Sequence, residues 1–191
     1  AAVKKGRVTD AVIRFLSFIG NSLPNFVVSL LLLYFFALKL GWFPVLSSGS
    51  PSSLVLPTLA LAIPMTGKYI RQVRAAVLEQ LGRQYVDGAV SRGLKRRKVL
   101  FGYVLQNALV TIITLMSMSI GSLLGGTAAI EMLFVMPGMG YMVTNAVTGR
   151  DYPVIQGFVV WMSVIYIFIN LLTDLAYYYL DPRIGAGMEV K

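Results

Sequence analysis

The sequence predicts an all-α protein that crosses a membrane several times. Three observations predict it. The mean hydropathy is +0.73 with 57% hydrophobic residues. Only 13% of the 191 residues are charged, about half the roughly 25% of a soluble domain. Four long stretches carry no charge at all, and Lys and Arg gather in alternate connections between them. This composition excludes a disordered, collagen-like or low-complexity chain. Cys and His are both absent, which excludes disulfides, thiol catalysis, His-ligated metals and a Ser-His-Asp triad.

A bilayer core of about 30 Å takes about 20 apolar residues as a helix. Leu23–Leu38, Leu54–Gly67, Val99–Ile130 and Tyr152–Thr173 are the uncharged stretches. They predict spans near 22–40, 54–78, 98–125 and 152–178 in a single transmembrane domain, with connections at 79–98 and 126–151. Asn21 and Ser22 are the caps expected for the first span, with Pro24 in its first turn. Asp151 is the expected N-cap of the last, followed by Pro153. Pro64 should kink the second span, because it lacks an N–H and crowds the carbonyl of Ala60.

The net charge of +9 is explained by topology. All of the 17 Lys and Arg except Lys39 and Arg150 fall on one side of a four-span arrangement. That side is the cytoplasm by the positive-inside rule, with both chain ends in it. Anionic lipid head groups or an acidic partner are secondary readings of the charge, and nucleic acid is not an expected partner. Ahead of the first span, Val12, Phe15, Leu16 and Ile19 share a helix face, with Asp10, Arg14 and Ser17 opposite. Asp10 and Arg14 form an i, i+4 pair. An interfacial helix leading into the first span is expected there.

Residues 79–98 are long for a plain connection. They predict a short helix stopped by Gly93 in the left-handed conformation. Tyr85, Val86, Ala89 and Val90 would share one face of it. That ridge either seats in a groove on a partner or rests on the chain's own spans; the residues alone leave both open.

Asp87-Gly88-Ala89-x-x-x-Gly93 followed by Tyr103-x-Leu105 resembles the EAA loop of bacterial ABC-importer permeases. It departs from that pattern at Asp87 (Glu), Gly88 (Ala), Tyr103 (Ile) and Gln106 (Pro). Further along come Gly121 to Gly126, Glu131 to Gly140, Arg150-Asp151-Tyr152-Pro153 and Asp181-Pro182-Arg183-Ile184, with Leu40-Gly41-Trp42-Phe43-Pro44 earlier. In that order they are similar to the C-terminal two thirds of the dipeptide/oligopeptide/nickel permease family. The resemblance covers essentially the whole chain. It implies the type I importer permease fold, with six spans in the intact protein and four of them here. The start, Ala1-Ala2-Val3-Lys4-Lys5, lacks Met and reads as the tail of an earlier span.

The resemblance also implies a function and partners. The protein would be a multi-pass component of the bacterial inner membrane. It would form half of a pore with a second related permease, fed by an extracytoplasmic substrate-binding protein. Arg83, Tyr85, Asp87, Gly88, Ala89, Arg92 and Gly93 would meet a cytoplasmic ABC ATPase. ATP and Mg would be held by that ATPase; no cofactor and no metal is expected on this chain, which lacks a phosphate-loop motif, and no catalysis of its own.

Within the spans, Ser117, Gly121 and Gly125 are spaced by four, a ridge for close helix packing within the chain or against the second permease. Asn107 and Thr114 are polar groups expected to face protein or a water-filled path rather than lipid. Glu131, Arg150 and Asp151 are candidates for contacts on the outer side, with a structural ion pair the favoured role of Glu131. Asn170, Thr173 and Asp174 share a face of the last span. The favoured cargo is a di- or oligopeptide, with nickel or a glutathione-type substrate as the alternative. A stand-alone channel or proton-coupled carrier is the rival from another class.

Overall fold

The computed structural model describes residues 8–46 and 49–180. Lys4, Lys5 and Arg7, the Asp181-Pro182-Arg183-Ile184 segment and Lys191 lie outside the described residues. Among those described, every regular element is helical. In chain order they are α1 (Val8–Ser22), α2 (Asn25–Leu32) running into a π-helical stretch (Leu33–Lys39), a 3-10 turn (Pro51–Leu54) opening α3 (Val55–Leu81), α4 (Gln84–Ser91), α5 (Arg96–Val99) with a second π-helical stretch (Leu100–Val104) leading into α6 (Leu105–Gly126), then α7 (Ala128–Leu133), α8 (Met139–Thr148) and α9 (Tyr152–Leu180).

Among the described residues, three helices are long and apolar enough to cross a membrane: Pro51–Leu81, Arg96–Leu133 and Tyr152–Leu180. The expected span at 22–40 differs. Asn25–Lys39 rises only about 22 Å, and it counts as a span only together with Val8–Ser22, from which it is bent by 96°. The break sits at Leu23-Pro24. Pro24 has no N–H to continue the ladder, and its φ of −59° and ψ of 146° leave the helical region. Asn21 and Ser22 therefore end α1 rather than cap α2; the Ser22 hydroxyl donates back to the Phe18 carbonyl at 2.7 Å. Asp151 does cap α9, its Oδ1 accepting from the Val154 N–H at 3.3 Å. Pro64 lies inside α3, which continues through it.

The chain divides into two compact units. One takes in α1 up to Arg14, Tyr69–Ile120 and α9 from Tyr166 on; the other takes in Phe15–Lys68 and Gly121–Ile165. The first has a core of Ala76, Val77, Val86, Ala89, Val99, Val104 and Ala108. The second is built on Leu33, Ala37, Leu56, Ala60, Ile130 and Phe134.

The amphipathic helix α1 faces opposite to a soluble one. Its apolar stripe, Val12, Phe15, Leu16 and Ile19, is exposed, while Asp10 and Ser17 are buried. Asp10 is held by Arg74 through two parallel bonds, Nε to Oδ1 and Nη2 to Oδ2, both 2.9 Å. Arg14 stands farther off at 3.7 Å. The expected i, i+4 pair exists, but the principal partner comes from α3. A stripe of that size turned outward is stable only against lipid or another apolar surface.

Candidate functional site

α4 begins after Arg83, whose extended backbone (φ −82°, ψ 144°) breaks the chain direction from α3. Val86 and Ala89, three residues apart on one face, are buried in the core of their unit. Burial of Val86 alone stabilises this seat by about 1.5–3 kcal/mol. Tyr85 packs at the edge of that core, and its phenol donates to Gln80 Oε1 at 3.0 Å. Burial pushes the Tyr85 phenol up from its ordinary value, opposed by the polar side chain of Asn107 and the charge of Arg83. Two residues read separately in the sequence, Tyr85 and Asn107, are thus neighbours.

The ridge left open in the sequence is divided. Val86 and Ala89 rest on the chain itself, and Val90 is 52% exposed. The outward stripe of α4 is Arg83, Asp87, Val90 and Ser91, at i, i+4, i+7 and i+8. Asp87 has no hydrogen-bond or ion-pair partner among the described residues. Arg83 pairs with Glu79 at 2.7 Å across solvent, an exposed pair of small energy. Arg92 donates from Nε to the Gly88 carbonyl at 3.1 Å, closing the helix C-terminus with a cation. A Cβ added at Gly88 meets nothing within 4 Å.

Gly93 ends the helix as expected, at φ +77°. Its N–H donates to Val90 O at 2.9 Å and the Leu94 N–H to Ala89 O at 3.3 Å, the paired bonds of a Schellman motif. Beside α4 lies an open apolar hollow of about 550 Å³, lined by Leu78, Val90, Leu94 and Leu100 with Asp87 and Arg96 at its polar margin.

Two polar residues of α6, Thr114 and Asn107, find partners within the chain. Thr114 donates to Val110 O at 2.9 Å and accepts the Tyr177 hydroxyl at 2.6 Å. Asn107 is exposed, its Nδ2 donating to Tyr103 O at 2.8 Å. Of the spaced small residues, Ser117 is buried, Gly121 is half-buried, and Gly125 is open, with nothing within 4 Å of an added Cβ.

Glu131 makes a different contact from the ion pair expected of it. Its Oε2 accepts the Tyr141 N–H at 2.8 Å. Tyr141 is the third residue of α8, so Glu131 caps that helix from α7, supplying the acceptor that Gly138 at the N-cap cannot. Gly140 allows the approach, since a Cβ there would stand 2.6 Å from Ala128 Cα. Arg150 is exposed with φ +55°, and the Asp151 side chain is spent on capping α9. Asp174 is exposed on α9.

Sequence reasoning missed the Asp10–Arg74 pair, the Tyr177–Thr114 bond and the Glu131 cap. Only the first left a signal: an Arg inside a helix that also spans needs an acidic partner.

The chain is similar to several transport proteins. It is 38% identical to the probable peptide ABC transporter permease protein y4tP of Sinorhizobium fredii, over 96% of this chain and 61% of that protein. It is 39% identical to the dipeptide transport system permease protein DppB of Bacillus subtilis, over 96% of this chain and 60% of that one. It is 34% identical to the metal-staphylopine import system permease protein CntB of Staphylococcus aureus, over 98% of this chain and 60% of that one. The chain therefore spans about three fifths of the length of the relatives it matches. The model of the binding-protein-dependent transport system inner membrane component family matches residues 1–186. This chain belongs to that family.

Proposed function

We propose that the chain is the permease subunit of an ATP-driven importer, forming half of the translocation path beside a second related permease. An extracytoplasmic binding protein delivers the cargo, and cytoplasmic ABC ATPases drive the cycle through α4. The subunit does no catalysis of its own. The observation that carries this reading is the build of α4. One face is anchored by Val86 and Ala89 and its end is fixed by Gly93, so a push on the helix moves the elements packed on it. The other face turns Asp87, Val90 and Ser91 outward beside Arg83, which pairs with Glu79, a small charged-and-apolar stripe suited to a groove. Such a helix converts closure of an ATPase dimer into a rigid-body switch between two packings of the spans. The distribution of Lys and Arg supports placing α4 and both ends of the chain in the cytoplasm.

The cargo we favour is a di- or oligopeptide, in keeping with the peptide and dipeptide systems among the relatives. The runner-up is a metal carried in chelated form, suggested by the metal-staphylopine relative. Among the described residues no three His, Cys, Asp or Glu side chains gather to hold a metal ion, so such a cargo would pass with its chelator. A proton-coupled carrier is disfavoured because it needs intramembrane acids along a path, and Asp174, toward the end of α9, is the one plausible acid the spans offer.

The test is co-purification of the full-length protein from detergent, intact and with Asp87–Gly93 replaced by a Gly/Ser linker. The expected result is an ATPase and a second permease with the intact protein, and loss of the ATPase alone with the linker. Retention of the ATPase with the linker, or purification of the intact protein alone with transport surviving the replacement, overturns the assignment.

A further inference from the structure

The break between α1 and α2 lies beside an open hollow of about 400 Å³, with Asn21, Asn25, Pro64 and Lys68 among its walls. It is roughly half polar, and it is a built feature. Gly67, next to Lys68, lets α1 lie against α3, since a Cβ there would stand 2.7 Å from Ser17 O and 3.0 Å from Asn21 N. Gly20 repeats the approach one turn on, 3.3 Å from Ile63 O. These notches hold Asn21 and Lys68 at one rim. Neither the Lys68 ammonium nor the side-chain amides of Asn21 and Asn25 has a partner among the described residues. Three donors of this kind, one of them charged, make a receptor for an anionic oxygen group.

Two observations identify the source of that anion. The first is depth. Lys68 follows about 25 Å of helix from Pro51, close to the thickness of a hydrocarbon core, a distance from which a long lysine side chain can snorkel to head-group level. The second is the surrounding surface. Phe18, Ile19, Leu23, Phe26 and Ile63 are all exposed around the same break. A free anion has no use for them, whereas the acyl chains of an amphiphile do. We propose that this hollow binds the phosphodiester head group of an anionic phospholipid, with Lys68 as its counter-charge, Asn21 and Asn25 as donors to its oxygens, and its chains along Leu23 and Phe26. The lipid would wedge the elbow between α1 and α2 and hold it bent.

The experiment is native mass spectrometry of the full-length protein released from detergent supplied with phosphatidylglycerol or phosphatidylcholine. Phosphatidylglycerol should be retained in preference. Lys68→Met should reduce that retention about fivefold, the share of one cation at a membrane surface, while Lys68→Arg and the distant Lys39→Met should keep it. Excess inorganic phosphate should not displace the lipid. Equal retention of both lipids, unchanged retention in Lys68→Met, or displacement by inorganic phosphate overturns the proposal. Asn25→Leu reads the same site without touching the charge, and carries the test where Lys68→Met does not fold.

Discussion

α4 is a short helix between spans and α7 a short helix closing the Arg96–Leu133 span, and both end in the same way with different residues. In α4 the residue in the left-handed position is Gly93, at φ +77°. In α7 it is Val135, at φ +51°. The bonds correspond one for one: Val135 N–H to Met132 O at 3.3 Å and Met136 N–H to Glu131 O at 2.8 Å. α8 ends likewise on Arg150, with the Asp151 N–H reaching Ala146 O at 2.8 Å. Glycine adopts this conformation freely; a β-branched residue does so only under constraint from its surroundings. The α7–α8 hairpin supplies that constraint through the Glu131 cap, the Ala128–Gly140 approach and buried Phe134 and Ile130. α4 has fewer such ties and leaves Asp87 unpaired. The contrast teaches that the hairpin is closed upon itself, whereas α4 is locally well made and outwardly incomplete.

The widest break in that contrast would come from Asp87→Arg. Asp87 is exposed and unpaired, so the substitution should change the stability of the chain by no more than about 0.5 kcal/mol. Transport reconstituted with ATPase, second permease and binding protein should nevertheless fall by about tenfold or more, the price of a like-charge or desolvated Arg in a groove shaped for a carboxylate. Wild-type transport with the ATPase bound would mean that the outward stripe of α4 has no partner to meet.

How much of this was visible in the sequence depends on the range of the interaction. Gly93 as a helix stop and Asp151 as a cap are local signals, written within a few residues of where they act, and both hold. The burial of Asp10 is not local: its partner Arg74 lies 64 residues away. The heptad-like stripe of α1 told which side chains share a face but not which face is covered, because an apolar stripe serves a protein core and a lipid surface equally well. Glu131 defeated the reading for another reason. An ion pair was expected from its charge, but the N–H it caps belongs to the backbone of Tyr141, and backbone donors leave no mark in a sequence.

Gly93→Val asks for the smaller effect of placing the hairpin's solution into α4. With φ at +77° the new side chain meets the following carbonyl, a strain of about 1–2 kcal/mol, and no tie like the Glu131 cap offsets it. Thermal unfolding in detergent should occur at lower temperature, and proteolysis within 84–95 should quicken. An unchanged midpoint with unchanged proteolysis would show that α4 is held by more than its seat of Val86 and Ala89 and its cap.

The reciprocal change, Val135→Gly, should have the smallest effect and the opposite sign. Val135 is 50% exposed, so removing its side chain forfeits little burial. Relief of the left-handed strain is offset in part by the greater backbone freedom that Gly has in the unfolded chain. The balance is a gain of about 0.5–1 kcal/mol, read as a higher unfolding temperature with the Glu131 cap left in place. A loss of stability of more than about 1 kcal/mol would have a definite meaning, because it exceeds what the added backbone freedom of Gly in the unfolded chain can cost. The exposed Val135 side chain would then have to be packing against something outside the described residues, and the hairpin, like α4, would be a surface awaiting its partner.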